Sequence, residues 1–251
     1  MAGHSKWANI KHKKARQDAK KGKMWSKCSR AIIVAAKAGG PDPAANLTLR
    51  YAIDEAKAAN MPKDTIENAI KKGSGAAGGA DYERVVYEGY GPGGVAVMLD
   101  ILTDNRNRTA PEVRKLFEKC GGNLGASGCV SYLFQPKGEV FVTKTGPGTE
   151  EEAVMEAALE AGAEDVADAG ESWQVLSEPN DCLAVREALE AAGMTVESAH
   201  VTMVPDNTIN VTGRDAEKLL TLIDGLEDHD DVQKVYANFE IPDDQMAALE
   251  G

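Results

Sequence analysis

Eight consecutive residues, Gly73-Ser-Gly-Ala-Ala-Gly-Gly-Ala80, contain no side chain larger than serine. Such a run reads as a flexible linker. Apolar residues recur at helical spacing before it, and strand and helix patterns alternate after it. A domain boundary is expected at this run.

Ahead of the linker, residues 24–38 place Trp25, Cys28, Ile32 and Ala36 on one stripe, and Gly39-Gly40 supplies a stop. Asp42-Pro43 reads as a restart, with Asp as the cap and Pro at the first helical position. Leu49, Ala52, Ile53 and Ala56 then recur at i, i+3, i+4 and i+7. Pro62 opens a third helix through Ile66, Ala69 and Ile70. Three short amphipathic helices with tight connections make a small bundle.

Behind the linker, Tyr82–Tyr90 and Val95–Leu102 read as strands joined through Gly91-Pro92-Gly93-Gly94. Thr109-Ala-Pro-Glu112 has the form of a capping box opening a helix. Val130–Phe134 reads as a strand that Pro136 breaks. Residues 137–204 then run strand, helix, strand, strand, helix, strand, the ferredoxin-like order. Its halves echo each other in Ala158-Leu-Glu-Ala-Gly162 and Ala188-Leu-Glu-Ala-Ala-Gly193. Thr208–Val211, Arg214–Leu226 and Val232–Phe239 add two strands and a helix, too few to close a sheet alone. The expected class is α+β multidomain: an N-terminal three-helix bundle followed by two α/β sandwiches, one ferredoxin-like and inserted in the other. The expected domains are a basic helical domain at 1–75, a discontinuous α/β domain at 80–135 plus 205–240, and an inserted domain at 136–204.

Charge is distributed as unevenly as structure. Residues 1–72 hold 16 basic and 6 acidic groups, residues 73–149 hold 8 of each, and residues 150–251 hold 4 and 26. Within the first thirty residues, ten Lys or Arg face one acid, Asp18. A polyanion is the natural partner of such an arm, because each cation meeting a phosphate releases a condensed counterion. The candidate contacts are Lys6, Lys11, Lys13, Lys14, Arg16, Lys20, Lys21, Lys23 and Lys27, with Trp7 and His12 among them. Lysines hold phosphate with little sequence discrimination, and Trp7 could stack on a base. The alternative is a solvated tail with Trp7 docked on the bundle. The bundle itself could enter a major groove, yet its base-edge candidates, Arg30, Asn46, Arg50 and Asn68, are scattered, which suits a scaffold presenting the arm. Arg106 and Arg108, in Asp104-Asn-Arg-Asn-Arg-Thr109, are a second candidate anion site beside a helix N-terminus; the alternative is a polar loop.

Other chemistry finds little support. Cys28, Cys120, Cys129 and Cys182 lack metal spacing and read as reduced thiols. Gly121-Gly-Asn-Leu-Gly-Ala-Ser-Gly128 follows a helix and precedes a strand, the reverse of a nucleotide loop. Glu227-Asp-His-Asp-Asp231 lacks the alternation of a calcium loop and reads as a solvated turn. No nucleophile elbow or carboxylate pair stands out, so no enzyme activity, metal or cofactor is expected. No apolar run is long enough for a membrane span, and the start lacks a secretory pattern. A cytoplasmic monomer or weak dimer is expected.

Several strings are more specific than these patterns: Ala2-Gly-His-Ser-Lys-Trp-Ala-Asn9, Gln17-Asp-Ala-Lys20, Tyr87-Glu-Gly-Tyr-Gly-Pro-Gly-Gly94, Asp104-Asn-Arg-Asn-Arg-Thr109 and Lys119-Cys-Gly-Gly-Asn-Leu-Gly125. With Glu156–Asp165 and Asp231-Val-Gln-Lys-Val-Tyr236 they run nearly end to end. Together they resemble the YebC family, the bacterial proteins related to the mitochondrial translational activator of cytochrome oxidase. The resemblance implies a cytoplasmic protein with a helical domain and two α/β domains, one interrupting the other. Family members are described as probable transcriptional regulators that bind DNA, and others look like translation factors that help ribosomes through proline runs by contacts with ribosomal RNA. The family supplies no defined active site.

Overall fold

The computed structural model describes residues 17–75, 81–146, 148–242 and 245, with side chains from residue 22 onward. These residues form two compact units, one of residues 132–208 and one joining residues 17–131 to 209–242.

In the larger unit, three helices come first: α1 (Gln17–Gly39), α2 (Leu47–Ala58) and α3 (Lys63–Gly73). Their core is Cys28, Ile32, Ala35 and Ala36 from α1, Leu49, Ala52, Ile53 and Ala56 from α2, and Ile66 and Ala69 from α3. The residues expected from spacing are the ones that meet. Complete burial of Ile32 and Leu49 contributes about 1.5–3 kcal/mol each. Trp25 lies at the rim, its indole N–H donating to the Ala59 carbonyl at 3.0 Å. The α1 stop is as expected: Gly40 adopts φ 87° and its N–H closes on the Ala36 carbonyl.

The second helix does not begin at Asp42-Pro43. The Asp42 carboxylate takes the Ala44 N–H at 2.9 Å in a tight turn, and Asn46 is the true cap, accepting from the Leu49 N–H at 3.0 Å. Its amide also donates to the carbonyls of Ala35 (2.8 Å) and Gly40 (2.9 Å), so this buried side chain ties the end of α1 to the start of α2. Three partners at one position outrank a two-residue cap signal. Asn46→Ala is expected to lose about 2 kcal/mol on urea unfolding. Asn46→Ser, which can cap but cannot span to α1, should recover only part of that. Gly73 acts through space rather than φ. A Cβ there would stand 2.5 Å from the Ile33 carbonyl oxygen, so its absence lets α3 approach α1.

The same unit contains β1 (Glu83–Tyr90), β2 (Ala96–Thr103), α4 (Arg106–Lys119), β3 (Asn123–Leu124), β8 (Ile209–Asn210), α7 (Gly213–Glu227), β9 (Val232–Ala237) and β10 (Phe239–Glu240). Its antiparallel sheet has the order β3-β1-β2-β9, while β8 and β10 pair in parallel. Strand β9 thus completes a sheet begun about 150 residues earlier, with Val97 opposite Ala237 and Leu99 opposite Val235. Helices α4 and α7 bury Val113, Phe117, Leu219, Leu222, Ile223 and Leu226.

The smaller unit is the inserted ferredoxin-like fold: β4 (Phe134–Thr143), α5 (Glu151–Glu160), β5 (Ala163–Asp168), β6 (Ser172–Ser177), α6 (Cys182–Ala191) and β7 (Val196–Pro205). Its antiparallel sheet has the order β5-β6-β4-β7. The separate strand expected over Val130–Phe134 is instead a short 3-10 turn, Ser131–Leu133, leading into β4. Pro136 does not break that strand; it pairs with Met203. Strand β6 joins β4 only from Gly138 onward, so at Pro136 that flank has no ladder bond to lose.

Candidate nucleic-acid interface

Lys6, Trp7, Lys11, His12, Lys13, Lys14 and Arg16 lie outside the described residues, and Lys20 and Lys21 are described only as α1 backbone. The four remaining candidates, Lys23, Lys27, Arg106 and Arg108, all contact other groups of their own unit.

Lys23 and Lys27 sit one turn apart on α1, with Arg30 three residues further. Lys27 Nζ donates to the carbonyl of Glu227, the last residue of α7, at 2.6 Å, and Lys23 Nζ donates to that of Asp228 at 3.1 Å. Arg30 donates to the Asp230 carbonyl and reaches the Asp231 carboxylate at 3.1 Å. Last-turn carbonyls carry the negative end of a helix dipole, which favours cations there. Burial pushes the Lys27 pKa down, while the carboxylates of Glu227, Asp230 and Asp228 pull it back only in part.

Arg106 and Arg108 do not precede a helix; they lie in its first turn. Asn105 is the cap, accepting from the Arg108 N–H at 3.2 Å, and Thr109 belongs to the helix interior instead of opening a capping box. Thr109 is drawn elsewhere, its hydroxyl donating to Asp231 at 2.7 Å. Arg108 bridges Asp231 (2.8 Å) and Asp104 (3.0 Å), and Arg106 pairs with Glu83 at 2.7 Å. The two guanidiniums therefore rest on internal carboxylates.

Asp231 is the junction of this network. It is 2% exposed and accepts from Arg30, Arg108, Thr109 and, at 3.3 Å, Thr103. Its own N–H donates to His229 Nδ1 at 3.1 Å, leaving the ring proton on Nε2, 3.0 Å from Glu112. The segment expected to be a solvated turn is therefore a docking platform. Only the side chains of Asp228 and Asp230 are exposed. Sequence spacing could not reveal this, because three of the acceptors are main-chain carbonyls. The one available signal was charge, an acidic run in a chain with a cationic helix.

Of the base-edge candidates, Arg30 and Asn46 are consumed internally. A second buried carboxylate, Glu88, accepts from the N–H groups of Gly128 (2.7 Å), Val130 (2.8 Å) and Ser131 (2.8 Å), fixing the glycine-rich segment after α4. All four cysteines are free thiols, and burial followed by the nearby Glu55 pushes the Cys28 pKa up to about 11. Among the described residues, no group of three or more His, Cys, Asp or Glu is placed to hold a metal, and no helix is long and apolar enough to cross a membrane.

A helical bundle shares one unit with an antiparallel α/β sheet, and a ferredoxin-like fold interrupts that unit in sequence. The chain belongs to the TACO1/YebC family: residues 5–76 match its N-terminal domain and residues 82–239 its second and third domains. A "Probable transcriptional regulatory protein" of Dictyoglomus thermophilum is 54% identical over 99% of this chain and 100% of its own length. One from Acidithiobacillus ferrooxidans is 55% identical over 100% of this chain and 99% of its own. The crystal structure of a "conserved hypothetical protein" from Aquifex aeolicus superposes with a TM-score of 0.84 at 52% identity, covering 94% of this chain and 97% of that one.

Proposed function

We propose that the chain is a nucleic-acid-binding regulator that acts on DNA as a transcriptional regulator in the cytoplasm. The observation that carries this reading is the excess of nine positive charges in the first thirty residues of a chain with net charge −12. Lys6, Lys11, Lys13, Lys14, Arg16, Lys20 and Lys21 supply the phosphate contacts and Trp7 a stacking surface, with the domain at residues 1–75 as their scaffold. The names of the relatives support a regulatory role. A second reading, a translation factor on ribosomal RNA, is favoured by one observation: Arg30 and Asn46 are engaged internally, which leaves little on the described helices to read base edges. Binding that senses phosphates alone suits ribosomal RNA as well as it suits DNA.

With about five phosphate contacts, affinity for a random duplex should fall with salt at a log–log slope of about −4.5. Neutralising Lys11, Lys13, Lys14, Lys20 and Lys21 together is expected to weaken binding and flatten that slope sharply; undiminished binding would refute the proposal. Competition separates the two readings. If a promoter duplex binds no better than a random one while purified ribosomes outcompete both, the DNA reading falls and the ribosomal one stands.

A further inference from the structure

We infer that the turn Glu227–Asp231 is an internal competitor for polyanions: it occupies Lys23, Lys27 and Arg30 as phosphates would, so nucleic acid along α1 and the docked turn exclude each other. The inference rests on the nucleic-acid reading of the basic N-terminal region and adds a regulatory contact to it.

Three observations support it. The turn offers what a phosphate strand offers a cationic helix, a row of oxygens under net negative charge. The carbonyls of Glu227, Asp228 and Asp230 and the carboxylate of Asp231 all accept from α1, within a segment that carries four carboxylates. The three cations stand at i, i+4 and i+7, so they form one stripe and meet the turn together. The opposite stripe of α1, Cys28, Ile32 and Ala35, is locked in the bundle core. Rotating the cations outward would unpack that core, so the helix cannot serve both partners by turning. Lys27 is already largely withdrawn from water beside the Glu227 carbonyl, so a phosphate approaching it competes with the turn for the same space. A polyanion that extends along α1 must therefore lift the turn away, and short contacts made by the arm alone need not.

The test compares the full chain with the triple variant Glu227→Gln/Asp228→Asn/Asp230→Asn, which leaves the buried Asp231 in place. The probe is a random-sequence duplex titrated over a range of salt. The carbonyl acceptors and Asp231 remain, but losing three side-chain charges weakens the turn's hold on the cations, which should tighten binding about tenfold at low salt and steepen the log–log slope by about two to three. A control variant, Glu118→Gln/Asp215→Asn/Glu217→Gln, removes the same charge from exposed sites of the same unit and should keep the wild-type slope. If all three proteins share one slope, the internal competitor is refuted while the nucleic-acid reading stands. If neither wild type nor variant binds, both fall. A readout without mutation is amide hydrogen exchange of the wild-type chain. Duplex should speed exchange across residues 227–232, where the Asp231 N–H is held by His229; unchanged or slower exchange overturns the inference.

Discussion

Replacing Asp231 by alanine is expected to lower the free energy of unfolding by about 3–5 kcal/mol, read as a shift of the urea midpoint. The carboxylate is 3% exposed and joins α1, through Arg30 at 3.1 Å, to α4, through Arg108 at 2.8 Å. Removing it leaves a largely buried guanidinium at Arg30 short of an acceptor and takes one acceptor from the hydroxyls of Thr103 and Thr109, both 0% exposed. The hydroxyls can still reach each other at 2.7 Å, so the penalty falls mainly on the arginines. Asp231→Asn keeps the shape but turns an amide toward donors, and should lie between alanine and wild type. A midpoint unchanged in Asp231→Ala would mean that the helical bundle does not depend on this network.

The same carboxylate sets a pH dependence. Burial alone would raise its pKa. The hydrogen bonds from Arg108 and Thr109 and the charges of Arg108 and Arg30 outweigh burial and hold it below the ordinary 3.8. A group whose folded pKa lies below its unfolded value stabilises the fold above the unfolded value. It loses that contribution as pH falls through the folded one. The acid limb of stability should therefore begin near pH 4.5, the ordinary value for Glu88, whose pKa is also depressed, and continue below 3.8.

Glu88→Ala is the second large effect, expected at about 3–5 kcal/mol. Here burial again pushes the pKa up, and the N–H groups of Gly128, Val130 and Ser131 together pull it below the ordinary value. Each such charge-assisted bond contributes about 1.5–3 kcal/mol, and the losses are not additive. Removing the acceptor orphans three main-chain donors, one of them on Val130, which is 0% exposed. Glu88→Gln restores one acceptor oxygen without the charge and should retain less than half of the stabilisation. Global unfolding by urea measures the total. Faster amide exchange confined to residues 125–131 would instead show that only this segment opens.

Much of the architecture was legible along the chain because it is written in local periodicity. Leu49, Ala52, Ile53 and Ala56 had to share a helix face, and the strand–helix order of residues 137–204 admits few packings other than the ferredoxin-like one. Element starts were less legible. Asn46 and Asn105 outcompete Asp42 and Thr109 as caps because of groups distant in sequence: the Ala35 carbonyl for the first, and Asp231 pulling Thr109 for the second. Pro136 misled for a similar reason. Whether a proline ends a strand depends on whether a neighbouring strand needs its N–H, and that neighbour lies about forty residues away.

For the candidate interface, the sequence alone determined the sign and placement of charge, since side-chain ionisation at neutral pH needs no fold, and it determined the residues that must be buried together. Only the tertiary structure decided which cations are already spent. Lys23, Lys27, Arg106 and Arg108 look alike as letters. Their partners are helix-end carbonyls and carboxylates brought beside them by packing, and a main-chain oxygen has no signature in a sequence.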